Sequence, residues 1–164
     1  MEAKYPVIIS AFPGTGKTYY QGKNPSSVID SDSSHFSWDK DGNRNSDFPQ
    51  NYIKHIKEKK EEMATIIFVS SHKVVRDALI ENDLPFLLIF PERELKEEYL
   101  ERFRSRGNND AFVELLEKNW DAWMDEMESL TGCEIVRLKS GEFLGDFLNN
   151  LDRIDEAIGK LDDE

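Results

Sequence analysis

The sequence predicts an α/β fold, a five-stranded parallel sheet covered by helices on both faces. Three observations point there. Short apolar runs alternate with stretches of helical apolar spacing, the rhythm of strand–helix–strand units. The runs, such as Ile66-Ile-Phe-Val69 and Phe86-Leu-Leu-Ile-Phe90, are continuously apolar, which marks strands buried on both faces. The first run passes directly into a glycine-containing loop followed by helix-forming residues.

The first strand is expected over 6–11. The loop after it, Ala11-Phe-Pro-Gly-Thr-Gly-Lys-Thr18, fits the Walker A phosphate-binding pattern, with Ala in place of the usual first Gly. Gly14 and Gly16 let the backbone turn tightly and bring N–H groups onto phosphate oxygens. Lys17 reaches the β- and γ-phosphates, and Thr18 offers a hydroxyl to Mg²⁺. Pro13, Gly14, Thr15, Gly16, Lys17, Thr18 and Tyr19 are therefore the candidate nucleotide-binding residues, with ATP and Mg²⁺ as the implied ligands. The following helix adds its N-terminus to the anion site. The bland alternative, a glycine turn after a buried strand, does not account for the Gly-Thr-Gly-Lys-Thr spacing.

A second short strand is expected over 27–30. The stretch 31–47 is rich in Asp, Ser, Asn and Gly and too long for a plain connector. A helix then runs from 48 to about 62, with Tyr52, Ile53, Ile56 and Met63 at helical spacing and the charged run 57–62 on a solvated face. The third strand covers 65–69 and is followed by a helix over 73–81. The fourth covers 86–90 and is stopped by Pro91. Two helical stripes come next. Leu95, Tyr99, Leu100 and Phe103 mark one; Phe112, Leu115, Leu116, Trp120, Trp123 and Met127 mark the other. The break between them, 104–109, carries Gly and Asn. The fifth strand covers 133–138. A last helix carries Phe143, Phe147, Leu148, Leu151, Ile154 and Ile158. Right-handed crossovers put every strand's C-terminal end on one edge, where ligands bind.

At 164 residues the chain reads as one domain, 1–164. Its net charge of −12 and pI near 4.7 repel a phosphate backbone, which disfavours DNA and anionic membranes as partners. The single cysteine, Cys133, permits no intrachain disulfide and reads as a buried structural thiol. No apolar run approaches membrane-spanning length, and the strand starts without a charged-then-apolar leader, so the expected location is the cytoplasm.

Asp30 and Asp32 lie two residues apart where the second strand ends, and on an extended chain they face one side. Turn or helix capping is the alternative use. His35, Phe36 and Trp38 follow directly. Phe36 and Trp38 suit either stacking on a nucleobase or plugging a small core of the 31–62 insert. Three arginines, Arg102, Arg104 and Arg106, fall within five residues of an acidic chain. Arg102 and Arg106 share a helix face, and planar guanidinium donation stabilises charge that builds during phosphoryl transfer. Gly107, Asn108 and Asn109 supply a joint. Pairing with Glu97, Glu98 and Glu101 on an exposed helix is the alternative.

The element order and these motifs resemble the P-loop kinases of the nucleoside and nucleotide kinase group, within the P-loop NTPase fold. The segments Asp30-Ser-Asp-Ser-Ser-His-Phe-Ser-Trp38 and Phe48-Pro-Gln-Asn-Tyr52 look like small phage and bacterial proteins of this type. The resemblance implies an ATP-dependent phosphotransferase acting on a nucleoside or nucleotide. A hydroxyl of DNA, whether a 5′-OH or a hydroxymethylated base, is an alternative acceptor; a nucleotide-binding switch or slow NTPase is the alternative outside the transferases. It makes Asp32 or Asp30 the base that takes the acceptor's proton, the other serving Mg²⁺; Asp32 is favoured as the functional member of the pair, and the metal candidates are Thr18 and Asp32. It makes Asp32, His35, Phe36, Trp38 and Arg76 acceptor-side residues, Arg76 through an acceptor phosphate, with a surface salt bridge as the safer reading of Arg76. It makes 92–110 a lid that brings Arg102, Arg104 and Arg106 to the phosphates, with Arg93 a weaker candidate, and puts the 139–142 loop beside the adenine. One departure stands out. Many such enzymes end the third strand with an Asp for the metal shell, whereas here Ile66-Ile-Phe-Val-Ser-Ser-His72 has none. That, with the short length, also counts against a AAA-type ATPase.

Overall fold

The five apolar runs form five parallel strands in a computed structural model that describes residues 7–31, 33–61 and 66–149. Several sequence expectations lie outside the described residues. They are the strand start at Pro6, the roles of Asp32, the side chain of His35, Met63, and the stripe at Leu151, Ile154 and Ile158.

The strands are β1 (Val7–Ala11), β2 (Val28–Asp30), β3 (Ile66–Ser70), β4 (Phe86–Pro91) and β5 (Glu134–Leu138), in the order β2-β3-β1-β4-β5. Every pairing is parallel, with Val7 opposite Ile66, Ile8 opposite Phe86, Val28 opposite Ile66 and Leu87 opposite Glu134. β4 runs one residue further than the sequence suggests. Glu92 N–H donates to Leu138 O at 2.9 Å, so Pro91, one residue earlier, directs its nitrogen to the β1 side, where β1 has already ended at Ala11. Its missing N–H therefore costs nothing.

Alternate residues of each strand face two separate cores. Ile8, Ile67, Val69, Phe86, Leu88 and Phe90 pack under α3 (Gln50–Lys60), α4 (Lys73–Glu81), α5 (Lys96–Ser105) and α6 (Asp110–Glu128). Val7, Ile9, Ala11, Phe68 and Ile89 pack on the other face, against Tyr20 of α1 (Lys17–Lys23) and Leu144, Phe147 and Leu148 of α7 (Leu144–Leu148). The helices thus lie on both faces. α5 buries Tyr99, Leu100 and Phe103 of its expected stripe, with Leu95 half-buried. The α6 stripe is rotated from the expected one: α6 buries Val113, Leu116, Trp120, Met124 and Met127, whereas Leu115 is exposed and Phe112 and Trp123 are half-buried, because the face turned to the sheet runs through 113, 116, 120, 124 and 127. A buried indole N–H needs an acceptor, and Trp120 Nε1 donates to Arg93 O at 2.9 Å. Asn109 caps α6 by accepting from Phe112 N–H at 2.8 Å. Cys133 is buried, as expected. Among the described residues no helix is long and apolar enough to cross a membrane.

The 31–47 stretch is more ordered than its composition suggests. A single turn of helix, α2 (Ser34–Ser37), is followed by a bridge between Trp38 and Arg44. Asp39 Oδ1 closes that turn by accepting from the Asp41 and Asn43 N–H groups, each at 2.9 Å.

Strand order positions the site. From β1 the chain crosses to the edge strand β2, returns to β3 between them, and then crosses to β4 and β5 on the other side of β1, so the C-terminal ends of β1, β3 and β2 open side by side on one edge.

Candidate functional site

The loop after β1 holds two left-handed glycines, Gly14 at φ +81° and Gly16 at φ +97°, which let it double back before α1. It is tied down from three directions. Thr15 Oγ1 donates to Phe12 O at 2.7 Å, Leu144 N–H donates to Thr15 O at 2.9 Å, and an Arg102 guanidinium N–H donates to Gly14 O at 2.6 Å. Thr15 is buried, whereas Thr18 is exposed at the start of α1.

Two clefts meet at this loop. The smaller, about 230 Å³, is lined by Ala11, Pro13, Lys17, Thr18, Asp30, Ser70, Ser71 and His72. The larger, about 560 Å³, is lined by Pro13, Gly14, Gly16, Lys17, Thr18 and Tyr19 on the loop side. Arg102, Phe103, Arg106, Asn108, Phe112 and Phe143 face them. Pro13, Lys17 and Thr18 belong to both. Every described position of the proposed nucleotide-binding set except Thr15 therefore borders the larger cleft, and Asp30 borders the smaller.

The three arginines separate. Arg102 is held between two rings, with its guanidinium carbon 4.2 Å from the Tyr99 centroid and 4.4 Å from that of Phe143. Glu98, one turn earlier, sits 3.6 Å from it and also accepts from Ser140 Oγ at 2.5 Å, so α5 is fastened to the 139–142 loop. Arg106 lines the larger cleft and lies over Phe103 at 5.6 Å. Arg104 turns to the exposed Glu101 at 3.7 Å and lines neither cleft. Arg93 faces Asp125 and Glu128 on α6. Tyr99 is buried beside Arg102, and its hydroxyl has no hydrogen-bond partner among the described residues. Burial raises its pKa above the ordinary tyrosine value, partly opposed by the neighbouring guanidinium.

At the smaller cleft, Ser70 ends β3, the position at which many P-loop enzymes carry an Asp. Its Oγ is 2.7 Å from Ser33 Oγ, and its carbonyl accepts from Ser10 Oγ at 2.9 Å. Ser31 is gripped by α3: Tyr52 Oη donates to its carbonyl at 2.6 Å, and His55 Nε2 lies 3.0 Å from its Oγ. Phe36 packs on Tyr52 and His55, with centroids 5.2 and 4.7 Å away, so it serves the insert's own core. Trp38 stays 46% exposed, with Arg44 stacked 4.1 Å over its ring. Arg76 is not brought to either cleft. Its guanidinium is buried and donates to Ser71 O at 2.7 Å and to Glu126.

The chain shares its fold with a gluconokinase from Sinorhizobium meliloti 1021, at a TM-score of 0.50 and 12% identity, over 97% of this chain and 93% of that one. This is the P-loop α/β fold. At that identity the likeness speaks for the fold alone. No protein-family profile and no curated protein matches the sequence.

Several site residues escaped the sequence reading. Phe143 reads as the start of a helical stripe, yet it precedes α7 as its N-cap residue and roofs the larger cleft. Glu98 stands one turn before Arg102, a spacing that points to a pair but not to the 139–142 loop. Tyr52 reads as part of the α3 stripe, and His55, three residues on, carries no signal in the sequence; only the fold shows that both meet Ser31.

Proposed function

We propose that the protein is an ATP-dependent kinase that moves the γ-phosphoryl group to a nucleoside or nucleotide acceptor. The observation that carries this reading is that Lys17 and Thr18 are shared by two clefts, one walled by arginines and aromatics, the other by Asp30 and the end of β3. A donor in the larger cleft and an acceptor in the smaller would meet at Lys17. The P-loop α/β fold is compatible with it.

The residues fit ATP and Mg²⁺. Two left-handed glycines, a lysine, a threonine hydroxyl and two guanidiniums line one open cleft, a donor set matched to a polyphosphate. Mg²⁺, when bound, would neutralise phosphate charge; Thr18 and, as the family resemblance implies, Asp32 or Asp30 would hold it. The acceptor hydroxyl or phosphate oxygen forms the new O–P bond while the β,γ-bridging bond breaks and ADP leaves. A hydroxyl's proton goes to the Asp30 or Asp32 carboxylate and then to solvent. Lys17 cancels charge on the leaving phosphate. Arg106 serves the transferring group, Arg102 holds the loop, and the 92–110 segment acts as the lid that excludes water. Trp38, with His35 beside it in sequence, offers a stacking surface for an acceptor base.

One observation favours a second reading, a nucleotide switch or slow NTPase. The β3 end carries Ser70 and Ser71 instead of a carboxylate, and Ser70 is occupied with Ser33. Incubation with γ-labelled ATP and Mg²⁺ separates the two. The acceptor pools are nucleosides, nucleoside monophosphates, gluconate and hydroxymethylated DNA, the last at two salt concentrations because phosphate contacts weaken with salt. Label in the nucleoside or nucleotide pool, lost in Lys17→Ala and strongly reduced in Asp30→Asn, supports the kinase. Label only in free phosphate supports the second reading.

A further inference from the structure

Arg76 is the one charged side chain in the buried set of the described residues. A buried guanidinium is costly unless it is paired, so its partners report what it does. Nε donates to the carbonyl of Ser71 at 2.7 Å. Nη2 donates to the Glu126 carboxylate, fifty residues away on α6. Nη1 is buried and has no partner among the described residues.

These partners belong to the two sides of the site. Ser71 forms the wall of the smaller cleft, between Ser70 and His72. α6 packs on α5, which presents Arg102 and Arg106 to the larger cleft. A single side chain, lining neither cleft, thus joins the wall of one to the helix pair behind the other. The guanidinium plane supplies two donors in fixed directions. A lysine, with a point charge on a flexible stem, does not reproduce that fork.

We propose that Arg76 is a positioning residue: with Glu126 it holds the Ser70–Ser71–His72 wall against α6, so that the smaller cleft takes its binding shape only when the α5–α6 hairpin is docked. The proposal rests on reading the smaller cleft as the acceptor site. Its consequence is a communication between the clefts. A nucleotide that engages Arg106 shifts α5 with α6, and Arg76 passes that displacement to Ser71.

The test uses Arg76→Lys, Glu126→Gln and the double variant, each measured two ways. One is amide hydrogen exchange in peptides spanning 68–74 and 121–130; the other is steady-state kinetics with whichever acceptor takes label. Loss of a charge-assisted hydrogen bond predicts about tenfold faster exchange at 71–74 and about a tenfold rise in acceptor KM in Arg76→Lys. The kcat stays within about twofold, because removing uniform binding leaves kcat alone, and the KM for ATP at saturating acceptor rises with the acceptor KM, because coupling between two sites is reciprocal. Glu126→Gln moves both readouts the same way, and the double variant does no more than the larger single change, since the pair acts as a unit. Glu126 is partly exposed, so Glu126→Gln carries the test if Arg76→Lys does not fold. The proposal is overturned by uniform acceleration of exchange across the core, by an unchanged acceptor KM, or by a Glu126→Gln variant silent in both readouts. If no acceptor takes label, the kinase reading fails separately. Local acceleration at 71–74 shared by both variants then still supports the tie, and its absence still overturns it.

Discussion

Gly14→Ala probes how the phosphate-binding loop is wedged against α5. Gly14 has φ +81°, and a Cβ built there stands 2.8 Å from Phe103 Cζ, closer than real methyl groups come to a ring. Two costs follow. A left-handed backbone costs a non-glycine residue about 1–2 kcal/mol. Phe103 must also yield, but it is buried and packed edge-on to Phe112 with centroids 5.1 Å apart. Overpacking of that kind costs about 1–3 kcal/mol. The sum, about 2–5 kcal/mol, is read directly in a urea unfolding curve as a lower midpoint at unchanged slope. Phe103→Leu separates the two contributions, because it removes the far end of the ring. It has a cost of its own, but in its background Gly14→Ala retains only the backbone cost of about 1–2 kcal/mol. The double-mutant cycle should therefore show a coupling of about 1–3 kcal/mol. Additivity within about 0.5 kcal/mol would refute the wedge.

Other substitutions give sharper local answers. Asn109→Ala removes the cap of α6 and should destabilise by about 0.5–2 kcal/mol, while Asn109→Asp recovers most of it, both by urea unfolding. Arg102→Met keeps the stem between Tyr99 and Phe143 but loses the bond to Gly14 O, for a loss of about 1.5–3 kcal/mol; an unchanged unfolding curve would show the latch to be idle. Tyr99 gives a pH dependence. Its folded pKa is raised, so above the ordinary value of 10.0 the unfolded chain releases a proton that the fold retains. Its contribution is complete below pH 10.0 and is lost as pH rises through the folded pKa. Tyr99→Phe should flatten that fall without loss of stability at neutral pH, because the hydroxyl has no partner to give up. Tyr20, raised by burial as well, keeps part of the slope.

The sheet was legible because burial on two faces leaves a mark in local composition. Ile66–Val69 and Phe86–Phe90 read as interior strands without knowledge of their neighbours, and the strand-to-loop transition at Ala11 marked the phosphate-binding turn. The helix stripes at Tyr99–Phe103 and Leu116–Trp120 were legible by the same local logic. Direction was not. An arginine at the start of α4 suits a cleft or a surface salt bridge; Glu126, which instead pairs with the buried guanidinium, lies fifty residues downstream. Three clustered arginines look equivalent in sequence. Their division among Gly14 O, Glu101 and the larger cleft depends on where the 139–142 loop and Phe143 come to rest. Phe36 and Trp38 share a motif, yet α3 offers rings to one and leaves the other in solvent. Pairings over long sequence separations carry the site, and no local pattern encodes them.

Photolabelling with 8-azido-ATP, followed by peptide mapping, asks which cleft receives the donor nucleotide. Insertion should fall in the peptides that hold Arg102–Phe112 and Ser140–Phe143, be competed away by ATP, and vanish in Lys17→Ala. Insertion at Asp30 or at Ser70–His72 would place the donor in the smaller cleft and contradict the two-cleft assignment on which the phosphotransfer reading stands.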